Sequence, residues 1–296
     1  MSLLIRRDIW VLKPAFEIGQ PLAGYGVGVV LRSDNSDVVV GQHLHGRGFI
    51  FEQYFVLLSL PLGMYFIDKH GHPGLPLTTY LGALGVPGKT AWAGWKDFAS
   101  SKKGETVFVS SGASAVGTMV IQLAKLDGLK IIASAGSEEK VEFLRKLGVD
   151  VAFNYKTVDT RGVLEREGPI DIYWDSVAGE TFNAAIDNAA AGARFLECGQ
   201  MTTLNSVGSH ALTINNPMPI FGKSVSIHFI SSFVIIPKHV EEFYRVVPAA
   251  LSAGTLLRSP EDVRHGLECV GEMIRAVQSG ETKGKAMVVV GEEAQD

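Results

Sequence analysis

The chain has 296 residues, 46% of them apolar and 20% charged, with 27 basic against 31 acidic side chains and a net charge of −4. That balance excludes intrinsic disorder as the main state and, lacking any basic excess to neutralise a run of phosphates, excludes a general nucleic-acid-binding field. Cys198 and Cys269 are the only cysteines, too few for a disulfide framework or a four-cysteine zinc site, so free thiols in a reducing compartment are expected.

At about 150 residues per domain the length suggests two domains. The start, Leu3-Leu4-Ile5 followed by Arg6-Arg7-Asp8, is too short for a signal-peptide core. The longest apolar stretch, 54–67, is broken by Ser59 and Pro61 and falls short of the ~20 residues of a membrane span. A soluble cytoplasmic protein with no membrane partner is expected. Residues 22–30 alternate glycine with larger residues, Gly24, Gly26 and Gly28, which predicts a strand with close backbone packing, as in small barrels. Val38-Val39-Val40-Gly41 reads as a short strand and turn, 61–78 as a Pro/Gly-punctuated loop, and 83–98 as a helix broken near Pro87-Gly88.

From Lys103 strands alternate with helical segments. Strands are predicted over 105–110, 130–135, 151–153, 170–174, 194–198 and 224–230, and helices over 115–126, 138–147, closed by Gly148, and 181–190. Such alternation implies β-α-β units and a parallel, doubly wound sheet, an α/β fold. Helices over 238–253 and 260–279 and a last strand over 286–290 complete the pattern.

The sharpest local signal is Ser110-Ser111-Gly112-Ala113-Ser114-Ala115-Val116-Gly117, between a strand and a helix. There a dinucleotide's pyrophosphate would meet free backbone N–H groups and the positive helix end. Ser114 stands where a third glycine might, so the motif alone also fits an ordinary tight turn. The next strand ends in Ala135-Gly136-Ser137, with no Asp or Glu to hold ribose hydroxyls. Ser137 as N-cap and Lys140 in the first helical turn favour the 2′-phosphate of NADP, with a solvated lysine paired to Glu138 or Glu139 as the alternative. Tyr155, after the third strand of the series, would flank the same phosphate.

Taken in order, Gly85-Val86-Pro87-Gly88-Lys89-Thr90-Ala91-Trp92, Lys103-Gly104-Glu105-Thr106-Val107, Ala135-Gly136-Ser137-Glu138-Glu139-Lys140 and Phe153-Asn154-Tyr155-Lys156 resemble the zinc-free medium-chain reductases of the prostaglandin reductase, leukotriene B4 dehydrogenase and alkenal double-bond reductase group. The likeness runs from about Phe16 to Val290. It implies a GroES-like twisted β-barrel domain, here partial, over 1–95 and 254–296, and an NADP-binding Rossmann domain over 96–253. It also implies NADPH-dependent reduction of the activated C=C bond of enals and enones, a small-molecule partner, and a homodimer. By position, Ser114, Ala115, Val116 and Gly117 would face the pyrophosphate. Ser137, Lys140 and Tyr155 would bind the 2′-phosphate, and Ser176 would lie along the cofactor. Cys198, Gly199 and the loop to Leu204 would pass the nicotinamide ribose, Phe229, Ile230 and Ser231 would wall the nicotinamide, and Thr90 and Thr282 would make further cofactor contacts.

The chain departs from the family pattern in four places. Leu204-Asn205 stands where the family has Tyr-Asn, removing a donor to the enolate oxygen. Thr282 and Ser176 each replace an Asn. Only Met1 to Pro14 precede Ala15-Phe16, so the N-terminus reads as shortened. Asn205 and Tyr80 are the candidates to steady the enolate oxygen. A quinone reductase, or a catalytically weak NADPH-binding protein, are the alternatives. His43 and His45 share a strand face but lack a third ligand, so no metal site is expected, and Asp171 with Asp175 reads as structural rather than an acid–base pair. The apolar run 229–236 fits core or a dimer seam.

Overall fold

The computed structural model describes residues 18–61, 63–67, 72, 74–203 and 213–291, and the chain divides into two compact units, 1–85 with 261–296, and 86–260.

In the first unit, β1 (Ala23–Val29) pairs antiparallel with β2 (His43–Ile50), which pairs with β3 (Met64–Phe66). The alternating glycines of β1 make room for two aromatic rings. A Cβ at Gly24 would stand 2.9 Å from Phe51, one at Gly28 2.9 Å from Phe49, and one at Gly26 would overlap the Phe49 ring. Val38–Val40 is not a strand. The segment is a turn held by the Gln42 side chain, which accepts from the Val39 N–H at 2.8 Å, with Val39 and Val40 exposed. The strand lies further on, at β2, carrying both His43 and His45.

The second unit opens with α1 (Val86–Gly94), continued by a wide turn at Trp95–Ala99. Pro87 sits in the first turn of α1, where a missing N–H leaves no helical bond unmade, so it starts this helix rather than breaking it. Then follow β4 (Thr106–Val109), α2 (Ala115–Leu126), β5 (Lys130–Ala135), α3 (Glu138–Leu147), β6 (Val151–Asn154), α4 (Thr160–Glu167), β7 (Ile170–Asp175), α5 (Glu180–Asp187), β8 (Ala189–Glu197), α6 (Met218–Lys223), β9 (Ser226–Phe229) and α7 (Ser232–Ser252). Helix α4, capped by Asp159 through the Arg161 and Gly162 N–H groups, and the short α6 are additions to the sequence reading. Helix α7 begins at Ser232, six residues earlier than expected, and carries Pro237 internally.

All six strands are parallel, in the order β6-β5-β4-β7-β8-β9. The chain runs outward from β4 to β6, then crosses back to β7 and runs the other way. The switch between β4 and β7 opens a crevice at the strands' carboxyl ends, the usual ligand position in such sheets. One face is filled by aromatic rings, Phe108 stacked on Tyr173 at 5.0 Å and Tyr173 edge-to-face with Phe195 at 5.2 Å, all fully buried.

The chain then rejoins the first unit. β10 (Glu261–His265) pairs in parallel with β11 (Lys285–Val289), with α8 (Val270–Ser279) between them. The helix expected over 260–279 is therefore corrected: Glu261–His265 is a strand, and the helix begins at Val270. Gly266, at φ +90, turns the chain before the helix begins.

Candidate functional site

The β4–α2 turn is built for close approach. Ser114 caps α2, its Oγ accepting from the Gly117 N–H at 3.1 Å. The helix start leaves the Ala115 and Val116 N–H groups without helical partners. Gly117 cannot carry a side chain, because a Cβ there would stand 2.7 Å from the Gly112 and Ser111 carbonyl oxygens. Gly112 is likewise hemmed in, its would-be Cβ 3.0 Å from Ala133 and 3.1 Å from Ile121. Ser111 adopts φ 54, a conformation serine rarely takes. A positive helix end behind a bend of small residues is what a phosphate needs.

The β5 tip lies beside it. Ser137 caps α3 through the Lys140 N–H at 3.3 Å. Tyr155 folds over Gly136, where a Cβ would stand 3.0 Å from its hydroxyl. The Glu138 carboxylate is taken by Asn154 Nδ2 at 2.8 Å. Lys140 is instead influenced by a second lysine. Burial first, then the charge of Lys156, lower its pKa, against a weaker opposing pull from Glu139. Ser137, Lys140 and Tyr155 are thus one cluster, and Lys156, just beyond β6, is a fourth member with no signal in the sequence alone. A partly desolvated ammonium group at a helix N-terminus, with an exposed second lysine close enough to repel it, is suited to an anion with two charges.

A third group lies under the crevice. Asp175, at the end of β7, is fully buried and accepts from Val177 N at 2.7 Å, Ala178 N at 3.0 Å and Ser110 Oγ at 2.9 Å. Ser110 in turn accepts from the Ser176 N–H at 2.9 Å, tying the end of β4 to the loop after β7. Cys198 and Gly199 both donate their N–H to the Asp175 carbonyl, at 2.8 and 3.2 Å, so Ser176, Cys198 and Gly199 are adjacent. Asp171 is at the other end of β7, accepting from Thr106 N at 2.8 Å, so the two aspartates are not a pair. Beside Asp175 stands Glu197, its register partner on β8, buried and with neither carboxyl oxygen hydrogen-bonded by a donor. Burial first, then the Asp175 charge, push its pKa up to about 9. Burial and both carboxylates push the Cys198 thiol up to about 12, which makes it a poor nucleophile.

The remaining candidates divide between the units. Ile230 donates its N–H to the Glu197 carbonyl at 2.9 Å, which brings the segment 229–231 to the same sheet end, with Ser231 immediately before α7. Thr90 is buried in α1. Thr282 and Tyr80 belong to the other unit, where Tyr80 is buried with its ring edge-to-face with His45 at 5.2 Å. Leu204 and Asn205 lie outside the described residues. Among the described residues no group of three His, Cys, Asp or Glu side chains could hold a metal ion.

Comparison with known proteins adds the lineage. A family model described as "Zinc-binding dehydrogenase" matches residues 115–252. The NADP(+)-dependent 2-alkenal reductase of Nicotiana tabacum is 35% identical over 286 residues, covering 94% of this chain and 80% of that protein. The chain belongs to the zinc-free medium-chain dehydrogenase/reductases of the alkenal and prostaglandin reductase group. Prostaglandin reductase 1 of Sus scrofa, a second member of this reductase group, is 45% identical over 220 residues, 72% of this chain and 65% of its own. The crystal structure of CurA from Vibrio vulnificus in complex with NADPH superposes with a TM-score of 0.86 at 26% identity, over 97% of this chain and 85% of that one. The six-stranded parallel sheet is thus the Rossmann-like sheet of the medium-chain reductase fold.

Proposed function

We propose that this protein reduces the activated C=C bond of α,β-unsaturated aldehydes and ketones with NADPH. The observation that carries the reading is the cation pair Lys140 and Lys156 around a carboxylate-free β5 tip, next to a glycine-lined helix start. The relatives named above, an NADP-dependent 2-alkenal reductase among them, support the same substrate class. The residues fit the cofactor because α2 follows its Ser114 cap with the Ala115 and Val116 N–H groups lacking helical partners, at the positive end of the helix. When bound, NADPH supplies a hydride for the β-carbon of the substrate.

In this reading the compact unit 86–260, which encloses the expected 96–253, is the NADP-binding domain, and 1–85 with 261–296, in place of the expected 1–95 with 254–296, is the catalytic domain. Ser114, Ala115, Val116 and Gly117 receive the pyrophosphate. Ser137, Lys140, Tyr155 and Lys156 hold the 2′-phosphate. Ser176 lies along the cofactor, Cys198, Gly199 and the loop to Leu204 pass the nicotinamide ribose, Phe229, Ile230 and Ser231 wall the nicotinamide, and Thr90 and Thr282 add contacts. Tyr80 and Asn205 steady the negative charge that develops on the substrate's carbonyl oxygen. Strand β9 is the last in its sheet, with Phe229, Phe233 and Val234 exposed around it, which supports a homodimer joined along that edge. No helix among the described residues is long and apolar enough to cross a membrane. Both cysteines are unpaired thiols, which supports residence in the reducing cytoplasm.

NADPH consumption measured with an enal, with a quinone and with no acceptor tests the reading. Turnover with the enal and formation of the saturated product is the expected result. Turnover with the quinone alone, or cofactor binding without turnover, would overturn it.

A further inference from the structure

Two carboxyl side chains face each other beneath the crevice, and nothing in the proposed chemistry uses them. Asp175 and Glu197 are partners in the β7–β8 register, so their side chains leave the same face of the sheet. Neighbouring strands are about 4.8 Å apart. Asp175 is 0% and Glu197 4% exposed, so water does not separate or screen them. Two carboxylates held this closely without solvent cannot both be ionised. The donors decide which one keeps the charge. Asp175 accepts from two backbone N–H groups and a serine hydroxyl, whereas Glu197 meets no donor. A carboxyl group without donors, packed against another carboxyl, is satisfied only if it carries the proton and donates it.

We propose that Asp175 and Glu197 share one proton, which resides on Glu197, and that this buried acid–carboxylate pair is a positioning device for the cofactor-binding loops. The proposal rests on the cofactor reading for its functional consequence, though not for the proton itself. The mechanical link runs through Asp175. Its carboxylate holds the Ser176–Ala178 turn, in which Ala178 takes φ 65, and orients the Ser110 hydroxyl that precedes the α2 turn. The Asp175 carbonyl holds Cys198 and Gly199, and the Glu197 carbonyl holds Ile230. Four loop segments at the sheet's carboxyl edge therefore hang on two neighbouring residues. With the proton present, Glu197 adds a charge-assisted bond that fixes the Asp175 carboxylate. Without it, two adjacent buried negative charges push apart.

The titratable groups that act on Glu197 from its surroundings are Asp175 and Tyr173 on β7 and Cys198 at its own strand end. Burial and Asp175 raise the Tyr173 hydroxyl well above its ordinary range, and the Cys198 thiol is pushed up to about 12. Neither loses its proton before Glu197, whose value is about 9. Loosening of the loops therefore begins with Glu197 and sets in as the pH rises through that region.

The test uses the full chain, its Glu197→Gln variant, which keeps a neutral donor of the same shape, and Glu197→Ala, which removes it. Infrared difference spectra between neutral and alkaline pH report the proton directly. A protonated-carboxyl C=O band that disappears on raising the pH, and is missing in Glu197→Gln, supports the proposal. Fluorescence titration with NADPH reports the loops. We expect the wild-type Kd to weaken about tenfold between pH 8 and pH 10, Glu197→Gln to hold its affinity across that range, and Glu197→Ala to be about tenfold weaker already at pH 7. Absence of a band assignable to Glu197, or an alkaline loss identical in wild type and Glu197→Gln, would overturn it. A chain that shows the Glu197 band yet binds no NADPH at any pH would count against the cofactor reading while upholding the shared proton.

Discussion

Removing the Lys140 ammonium separates the two nicotinamide cofactors. Lys140 is half-buried, its pKa is lowered by desolvation and by Lys156, and the Glu138 carboxylate is engaged by Asn154. A 2′-phosphate would relieve the lysine–lysine repulsion and gain a charge-assisted bond worth about 1.5–3 kcal/mol. Partial exposure puts the effect at the lower end, so Lys140→Ala should raise the Kd for NADPH about tenfold. The double variant Lys140→Ala with Lys156→Ala should lose about a hundredfold if each lysine contributes one such contact. NADH lacks the phosphate, and its Kd should change less than about twofold. Quenching of intrinsic fluorescence by each cofactor at two salt concentrations measures all of this, and the NADPH affinity should fall more steeply with salt than the NADH affinity in the wild type. Equal weakening of NADPH and NADH, or none of either, would refute the assignment of this cluster to the phosphate.

Other substitutions probe the scaffold. Gly117→Ala pushes a methyl group to within 2.7 Å of two carbonyl oxygens, so NADPH binding should be lost in calorimetry while circular dichroism shows the α/β fold retained. Arg194 bonds both oxygens of Glu105, at 3.1 and 2.6 Å, and the Ala99 carbonyl at 2.9 Å, largely out of solvent. Arg194→Ala should cost about 3 kcal/mol, seen as a Tm roughly 10 °C lower, with Arg194→Lys recovering part of it. In the other unit, Gly26→Ala collides with Phe49 and should destabilise by about 1–3 kcal/mol in urea unfolding, a loss that adding Phe49→Ala should partly reverse.

The parallel sheet was legible because its punctuation is local. Ser114 and Ser137 cap the helices they precede, and Gly148 ends α3 at φ +91, so α2, β5 and α3 have the boundaries that the sequence implies. Segments decided by distant partners were not legible. Val38–Val40 has the composition of a strand, but a side chain four residues on folds it into a turn. Residues 261–265 look helical from Pro260 onward, yet they pair with 285–289 across the whole of α8. The glycines of β1 announced a close approach without saying that Phe49 and Phe51 would fill the space. The same division holds at the site. The phosphate-facing turn and Lys140 are contiguous in sequence with the caps that place them. Lys156 matters only because β6 brings it alongside α3. The Asp175–Glu197 pair depends on a register between two strands 22 positions apart, which no local pattern encodes.

Hydride from NADPH should reach the β-carbon of a conjugated carbonyl compound. Reaction of an enal with NADPH deuterated at the transferring position of its nicotinamide tests it most directly, with the product analysed by NMR. The expected product is a saturated aldehyde carrying one deuterium at the former β-carbon. Deuterium on the carbonyl carbon of an allylic alcohol, or an unlabelled and unchanged enal, would contradict it.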